Sequence, residues 1–516
     1  MIKRTICVII SIMILVSAVI PINAETTTPI PDYYSSKNMG YTTTVKNQGQ
    51  TGLCWAYAGT TILEIYLNKN GLYTEPLSVS HLDNWAIPRE DGSGWHRDFS
   101  VTGGNASIVI GYLTSWQGPK YESEFPYDME KLPFDGLLTN SYPVYGVTSI
   151  SNLSYDNSNE VKSAIMEYGA VWTSYYHSYD YFGSDNLSYY NQDDFTTGGH
   201  AVAIIGWDDN YSKENFDGAD KPTQNGAWIV QNSWGDYHNG DGYFYMSYEN
   251  TLFEAFAITG VQKIEDNTVL YQNETFGSTD TTSAWTTGDV AYMNIFDFAE
   301  NTVLDKIMFS YSLSDVSYEI YYIPMDTTNQ NLPTTNTTKW VKLGEGVTDH
   351  EGMICHDISD KTVPSGNGAI AINILPNTTS NTTYSVGILS SNTTTTESEF
   401  VVAPEKTVEN SYTISQYGSF YMCEPITAVV GENYNPTFVI KAVAYTDDNQ
   451  ETFATGDVNK DNIINVKDAT LIQKHIINLI TLDSDMLALA DYDNNNTVDG
   501  NDVVLVQKYS VGLIAS

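Results

Sequence analysis

The sequence predicts a multidomain chain: a mixed helix-and-strand (α+β) segment up to residue 261, a β-sandwich over residues 262–446 and a small all-α domain over residues 455–516. Three observations carry this. Up to residue 261, helical periodicity after Cys54 gives way to apolar, strand-like runs at AVAIIGW (201–207) and GAWIV (226–230). From 262 that periodicity disappears, and short strand-like runs alternate with polar loops. Near the end a loop–helix unit occurs twice, 34 residues apart, starting at Asp457 and Asp491. A length of 516 residues agrees with about three domains.

The chain opens MIKRTICVIISIMILVSAVIPINA, with Lys3 and Arg4, an apolar run, and Ala24 as a small residue at a cleavage point. This predicts a signal peptide over 1–24 and a secreted protein, because no later segment is apolar enough to anchor the chain. Cys7 would leave with it, so Cys54, Cys355 and Cys423 remain. An odd count leaves one free thiol; Cys355 and Cys423 either pair or stay as buried thiols. Asp and Glu number 63 against 23 Lys and Arg, a net charge of −40, which repels phosphate backbones and anionic lipid. Nucleic acid and membrane surfaces are therefore poor partners, and neither nucleic-acid binding nor membrane insertion is expected.

The stretch VKNQGQTGLCWAY (45–57) carries Gln48, then Gly49 and Gly52 for a tight turn, then Cys54 and Trp55 opening a helix. A thiol at a helix start sits at the positive end of the helix dipole, which favours thiolate. The following AYAGTTILEIYLN keeps apolar residues spaced for one buried face. Two distant segments complete a chemistry. Gly198-Gly199-His200 heads the first apolar strand, and the second ends in Gln231-Asn232-Ser233-Trp234-Gly235. A cysteine nucleophile needs a base, and the base needs an orienting group; His200 and Asn232 supply both. His81, His96, His177, His238, His350, His356 and His475 read as surface or structural.

These segments resemble the papain family of cysteine peptidases, over roughly residues 31–261. The resemblance implies a fold with a helical lobe and a β-barrel-like lobe. It implies Cys54 as nucleophile, His200 as its ion-pair partner and Asn232 as orienter, with Gln48 and the Cys54 N–H as oxyanion donors. Trp234 would shield the His–Asn bond from water. Leu77-Ser78 before His81 resembles the start of the family's next helix, and Gly103-Gly104-Asn105 its substrate-binding glycine segment, so Gly103 and Gly104 are expected to touch substrate. The spacing from Cys54 to His200 fits a range of about 130–150 residues, whereas Asn232 lies beyond it, an excess placed in the polar insertion 208–225. Thr51-Gly52-Leu53-Cys54-Trp55 replaces the usual Cys-Gly-Ser-Cys-Trp, so the neighbouring disulfide is absent, and Gly199 stands where Asp or Asn often precedes the histidine. About thirty residues between Ala24 and Cys54 are too few for the family's long propeptide.

From 262 to 446, strands are expected at 303–312, 317–323, 369–375, 383–389 and 438–446. Their placement resembles the lectin-like β domain that follows the peptidase in some bacterial papain-type proteins. Trp285 and Trp340 are candidates for glycan contact, with a packing or substrate-steering module as the other reading. A linker over 447–454 follows. Each C-terminal repeat then opens with a twelve-residue loop whose positions 1, 3, 5, 7, 9 and 12 supply oxygens for calcium. These are Asp457, Asn459, Asp461, the Ile463 carbonyl, Asn465 and Asp468, then Asp491, Asp493, Asn495, the Thr497 carbonyl, Asp499 and Asp502. Asn462 and Asn496 at position 6 tolerate the left-handed turn that Gly usually makes. The repeats resemble a dockerin, which implies two structural Ca2+ ions and a cohesin domain of a scaffolding protein as partner, as in cellulosome-type complexes. Family recognition pairs fall on Val466-Lys467 and Gly500-Asn501.

The combined expectation is a secreted, scaffold-associated cysteine endopeptidase acting on protein or peptide substrates, with no cofactor for catalysis. A catalytically silent papain-fold binding or inhibitory protein, and a glycan-binding module with an auxiliary peptidase, are the alternatives. The intact Gln48, Cys54, His200 and Asn232 set argues against the first.

Overall fold

A computed structural model describes residues 29–514, apart from 73–74, 88–93, 96–102, 128–142, 192–198, 277–279, 285–289, 329–331, 376–383, 390–401, 404–409, 418–419, 426–436, 447–452, 483 and 496. Helix α1 (Cys54–Lys69) starts at the cysteine, and its N-terminal neighbour Leu53 offers no side-chain cap, so the first N–H groups stay open to other acceptors. The periodicity predicts one buried face, but Trp55 to Ile65 are all buried. The cause is position: α1 is inserted between α2 (Val79–Trp85), α3 (Ala106–Thr114) and a sheet. Ser78 caps α2 by accepting from the His81 N–H, as the sequence predicts.

Strands Tyr145–Asn152, Glu254–Lys263, Val171–Tyr176, Gly199–Asp208, Ala227–Gln231 and Tyr243–Ser247 lie side by side in that order, all antiparallel. Gly199–Asp208 is buried on both faces, which explains its unbroken apolar run. Ala201, Ala203 and Ile205 enter the core shared with α1. Val202, Ile204 and Trp207 enter a second core beside α4 (Ser158–Tyr168). The small alanines let α1 approach, and the end of this strand meets the start of α1.

The β-sandwich has two sheets. One runs Thr268–Gln272, Ile440–Thr446, Thr302–Tyr311 and Glu351–Thr362; the other includes Ser317–Asp326, Gly366–Ile374, Val290–Phe298 and Ser411–Tyr417. Leu304, Ile307, Phe309, Ile320, Ile370 and Ile372 fill the space between them. Each expected run overlaps a strand, but Val290–Phe298 and Glu351–Thr362 are strands that the expectation omits. Cys355 and Cys423 sit in different sheets and are not joined by a disulfide, so the pairing alternative is not realised.

The first sheet does not stop at the sandwich. Glu351, Gly352 and Met353 pair with Asn152, Ser151 and Ile150, so one sheet crosses from the N-terminal segment into the sandwich. Leu270, Phe276, Met308, Met353 and Val443 share a core with α1. Beside this seam Lys441 and Glu274 form an ion pair with both side chains fully buried. The Lys441 ammonium also donates to Gln272 Oε1 at 2.6 Å, and Gln272 Nε2 donates to the Ser115 carbonyl at 3.0 Å, just past α3. The C-terminal domain packs α5 (Val466–Ile476), α6 (Ser484–Ala490) and α7 (Gly500–Ser510) around Val458, Ala469, Ile472, Leu482, Val503 and Val506.

Leaving one buried charge without its counter-ion is costly, so Glu274→Ala should lower stability by about 3–5 kcal/mol. The urea midpoint of the full chain reads this, and Lys441→Met combined with Glu274→Leu should recover most of the loss.

Candidate active site

Cys54, the first residue of α1, is partly buried. Burial pushes its thiol up from the ordinary value, while the backbone N–H groups of Ala201, Trp55 and Cys54 itself, aimed at the sulfur, pull it down. The Ala201 contact puts the sulfur next to His200. His200 Nε2 lies 2.8 Å from Asn232 Oδ1. An amide oxygen only accepts, so Nε2 carries the hydrogen in this arrangement and Nδ1 is the nitrogen left for Cys54. Burial holds the His200 pKa down at about 4, against an upward pull from the Asn232 bond. The Trp234 indole stacks on the His200 ring with centroids 4.8 Å apart, covering the His–Asn contact.

Gln48 is buried and doubly held. Its Nε2 donates to the Thr51 carbonyl at 2.7 Å, and its Oε1 accepts from Ser233 Oγ at 2.6 Å. An amide nitrogen has two hydrogens, so one remains. The loop itself is zipped to the Asn232 segment: the Gln48 N–H donates to the Ser233 carbonyl and the Gly235 N–H to the Lys46 carbonyl. Gly49 turns at φ +60°, a left-handed conformation that explains glycine there. Beneath the loop, Lys46 pairs at 2.6 Å with Glu64 of α1, whose carboxylate is fully buried and also accepts from the Leu77 N–H.

Gly103 is exposed, and Gly104 lies against Trp55: a Cβ on Gly104 would stand 2.4 Å from the indole. The close approach, rather than a turn, demands glycine at 104. Gly199 has open space around its α-carbon, and Gly198 falls outside the described residues.

Two histidines read as surface or structural stand in this site instead. His238 is 1% exposed, with Nε2 2.8 Å from Asn232 Nδ2. The His177 ring lies 5.4 Å from that of His200 and 5.0 Å from that of Trp234. Their sequence contexts, YYHSYD and DYHNGD, carry no apolar run; only folding brings them to His200. His81 is buried against the Tyr112 hydroxyl, away from this group.

In the C-terminal domain the position-12 carboxylates Asp468 and Asp502 are fully buried. Each accepts the N–H of the position-9 residue, Asn465 or Asp499, which in turn caps the helix. Asp457 accepts from the N–H groups of Asp461 and Asn462, and Asn462 takes the expected left-handed turn at φ +64°; Asn496 is outside the described residues. Asn459 and Asp461 hydrogen-bond to each other, and the Asn465 amide holds the Ile463 carbonyl. In the second loop, oxygens of Asp491, Asp493 and Asp502 lie within 4.8 Å of one another, with the Asn495 N–H on Asp491 and Thr497 further along the loop. Carboxylates gathered so closely repel unless a cation lies among them, and hard oxygens are the donors calcium takes. In the sandwich, Trp340 is half-buried, packs on Tyr321 and donates to the Thr334 carbonyl; Trp285 is outside the described residues.

A cysteine at a helix start, a histidine held by an asparagine amide and a buried glutamine beside them, set between a helical lobe and a sheet, define a cysteine-nucleophile hydrolase fold. Residues 30–264 match the papain family cysteine protease profile and residues 455–509 the dockerin type I domain profile. The clostridial cysteine protease Cwp84 after propeptide cleavage is 32% identical, with 80% of this chain covering 99% of that one at a TM-score of 0.70. A second structure, of the cysteine protease and lectin-like domains of Cwp84, a surface layer associated protein of Clostridium difficile, is 30% identical, covers 81% of this chain and 90% of that one, and gives a TM-score of 0.71. Cathepsin J of Mus musculus is 28% identical over 240 residues, 44% of this chain and 66% of that protein. Cathepsin J of Rattus norvegicus is 27% identical over 42% of this chain and 59% of its own length, so the chain spans less than two thirds of these curated relatives. The chain belongs to the papain family of cysteine proteases and carries a type I dockerin domain.

His81 and His200 are buried and His177 half-buried, all as neutral rings, held at about 4, about 4 and about 3 against an ordinary 6.5. The unfolded chain takes up these protons first, so their contribution to stability is complete above about 6.5 and is lost as pH falls towards 4. The melting temperature should therefore drop below pH 6.5, and His177→Phe, which keeps a ring but cannot titrate, should flatten the slope.

Proposed function

We propose that this chain is a secreted cysteine endopeptidase, held by a calcium-loaded dockerin on a cohesin-bearing extracellular scaffold of cellulosome type. The observation that carries the peptidase reading is the Asn232–His200 pair beside Cys54: the amide takes Nε2–H, which leaves Nδ1 as the nitrogen for the sulfur, and the sulfur already meets the N–H of Ala201, next to His200. Cys54 gives its proton to His200 and the sulfur attacks the peptide carbonyl carbon. The carbonyl oxygen gains charge, met by the spare Gln48 N–H and by the Cys54 N–H, which no helical carbonyl claims. His200 returns the proton to the leaving amine as the C–N bond breaks. Water, giving its proton to His200, then cleaves the thioester and frees the acid. Gly104 lies beside Trp55, and with the exposed Gly103 it leaves no side chain in the way of an extended substrate along this segment.

Covalent labelling with a peptidyl fluoromethyl ketone, read by intact mass, tests this reading. Rapid single labelling is expected, absent in Cys54→Ala and slowed about a hundredfold or more in His200→Ala. A folded wild type that labels no faster than its unfolded form would overturn it.

For the dockerin, the exposed Val466-Lys467 and Gly500-Asn501 pairs at the starts of α5 and α7 suit recognition of a cohesin. The residues of both loops fit calcium, which would supply positive charge to the buried Asp468 and Asp502. Chelator should open residues 455–514 to trypsin at Lys460, Lys467, Lys474 and Lys508 while the rest of the folded chain stays intact. Equal resistance with and without chelator would sink the calcium requirement. The extracellular or cell-surface location agrees with the dockerin and with the surface-layer association of Cwp84.

A further inference from the structure

We infer that His238 is a positioning residue for the Cys54 site: as the neutral Nδ1–H tautomer it accepts from Asn232 and so turns the Asn232 oxygen towards His200. The inference rests on the peptidase reading above. His238 Nδ1 lies 2.7 Å from the Asn186 carbonyl oxygen, which only accepts, so Nδ1 carries the hydrogen. Nε2 of the neutral ring is then an acceptor, and it meets Asn232 Nδ2 at 2.8 Å. With Nδ2 committed there, Oδ1 faces His200 Nε2 and the Ser233 N–H, both at 2.8 Å. Hydrogens thus point one way along the row, from His200 to Asn232, from Asn232 to His238 and from His238 to Asn186. His200 is left with Nδ1 unprotonated, the nitrogen available to take the Cys54 proton.

The surroundings hold His238 in this form. The ring is fixed from several elements: Trp234 stacks on it at 5.6 Å, Phe182 lies at 5.0 Å and Phe244 of strand Tyr243–Ser247 at 5.0 Å. Its backbone sits at φ +41°, a conformation a non-glycine residue keeps only where neighbours impose it. Among charged and titratable groups, Asp241 on its own segment and the Asn186 carbonyl favour protonation, burial opposes it, and the net effect lowers its pKa. His200 and His177 feel any His238 charge as repulsion.

A protonated His238 would set an N–H against the Asn232 NH2. Relief by flipping the amide would give up the Ser233 bond and turn two hydrogens towards His200 Nε2–H. Unflipped, two donors stand opposed; flipped, His200 loses its acceptor, so protonation of His238 disfavours the working arrangement and the site works best above the His238 pKa. This makes His238 a second acid-side control beside the Cys54–His200 pair.

The test uses the full chain with iodoacetamide as probe, measuring the Cys54 alkylation rate from pH 4 to 9, together with 15N spectra of histidine-labelled protein. His238→Phe fills the space but accepts nothing, and should slow alkylation at pH 6 by about ten- to a hundredfold. In His238→Gln an amide oxygen can stand where Nε2 accepts and cannot be protonated. It should stay within about threefold of wild type at pH 7 and shift the acid limb down by about half a pH unit or more. The spectra should show a bare Nε2 and a protonated Nδ1 on His238. A protonated Nε2 on His238 at pH 7, or a His238→Phe profile superimposable on wild type, would overturn the proposal. The tautomer readout keeps the test decisive if a variant fails to fold. A wild-type thiol that is inert while His238 shows the expected tautomer would count against the peptidase reading and leave the hydrogen-bond order standing.

Discussion

The site depends on a short antiparallel clasp. Gln48 N–H meets the Ser233 carbonyl, Gly235 N–H meets the Lys46 carbonyl, and the Ser233 hydroxyl holds the Gln48 amide. This joins the loop in front of α1 to the end of a sheet strand nearly two hundred residues away. The Gln48 amide, Cys54 and Asn232 therefore move as one piece. In the proposed peptidase reading Gln48 is an oxyanion donor, and such a donor acts only if it is aimed before charge develops, so a clasp that removes its rotational freedom would serve that chemistry. The Lys46–Glu64 pair, with its carboxylate fully buried, supports the same loop from below and ties it to α1.

Behind the clasp, burial works in two directions. It disfavours an isolated thiolate on Cys54 and an isolated imidazolium on His200. Two opposite charges formed together satisfy each other, and the N–H groups around the sulfur add to that. Trp234, stacked on both His200 and His238, keeps water from competing for the amide between them. The hydrogen-bond order from His200 to the Asn186 carbonyl thus survives in a dry environment, where each bond is stronger and each mismatch costlier.

The sandwich is more than an appended module. One sheet runs through both parts, and Met308, Met353 and Val443 complete the core that also buries α1. The helix that presents Cys54 is therefore held in part by residues three hundred positions further on. The Lys441–Glu274 pair and the Gln272–Ser115 bond lie on that seam, where charge is accepted in the interior because geometry and counter-charge are both supplied.

Much of this was legible in residues alone. Cys54 after a glycine turn, His200 and Asn232 at the ends of apolar runs, Gln48 in its loop and the repeated loops of calcium-binding type are local patterns, because nucleophile activation and ion ligation each require particular side chains at particular backbone positions. The periodicities of helix and strand are local as well, so the order of elements followed. What the tertiary structure alone decided is what stands beside what. His238 and His177 have polar sequence neighbours and reach the His200 site only through packing, His238 against Phe182 and Phe244 and His177 against Trp234. The strand Glu351–Thr362 carries too many polar residues to announce itself, yet it pairs with Tyr145–Asn152 to join two parts of the chain. Cys355 and Cys423 went to separate sheets. Hydrogen-bond direction, sheet continuity and thiol pairing are relations between distant residues, set by packing and by the satisfaction of buried polar groups, and no local pattern encodes them.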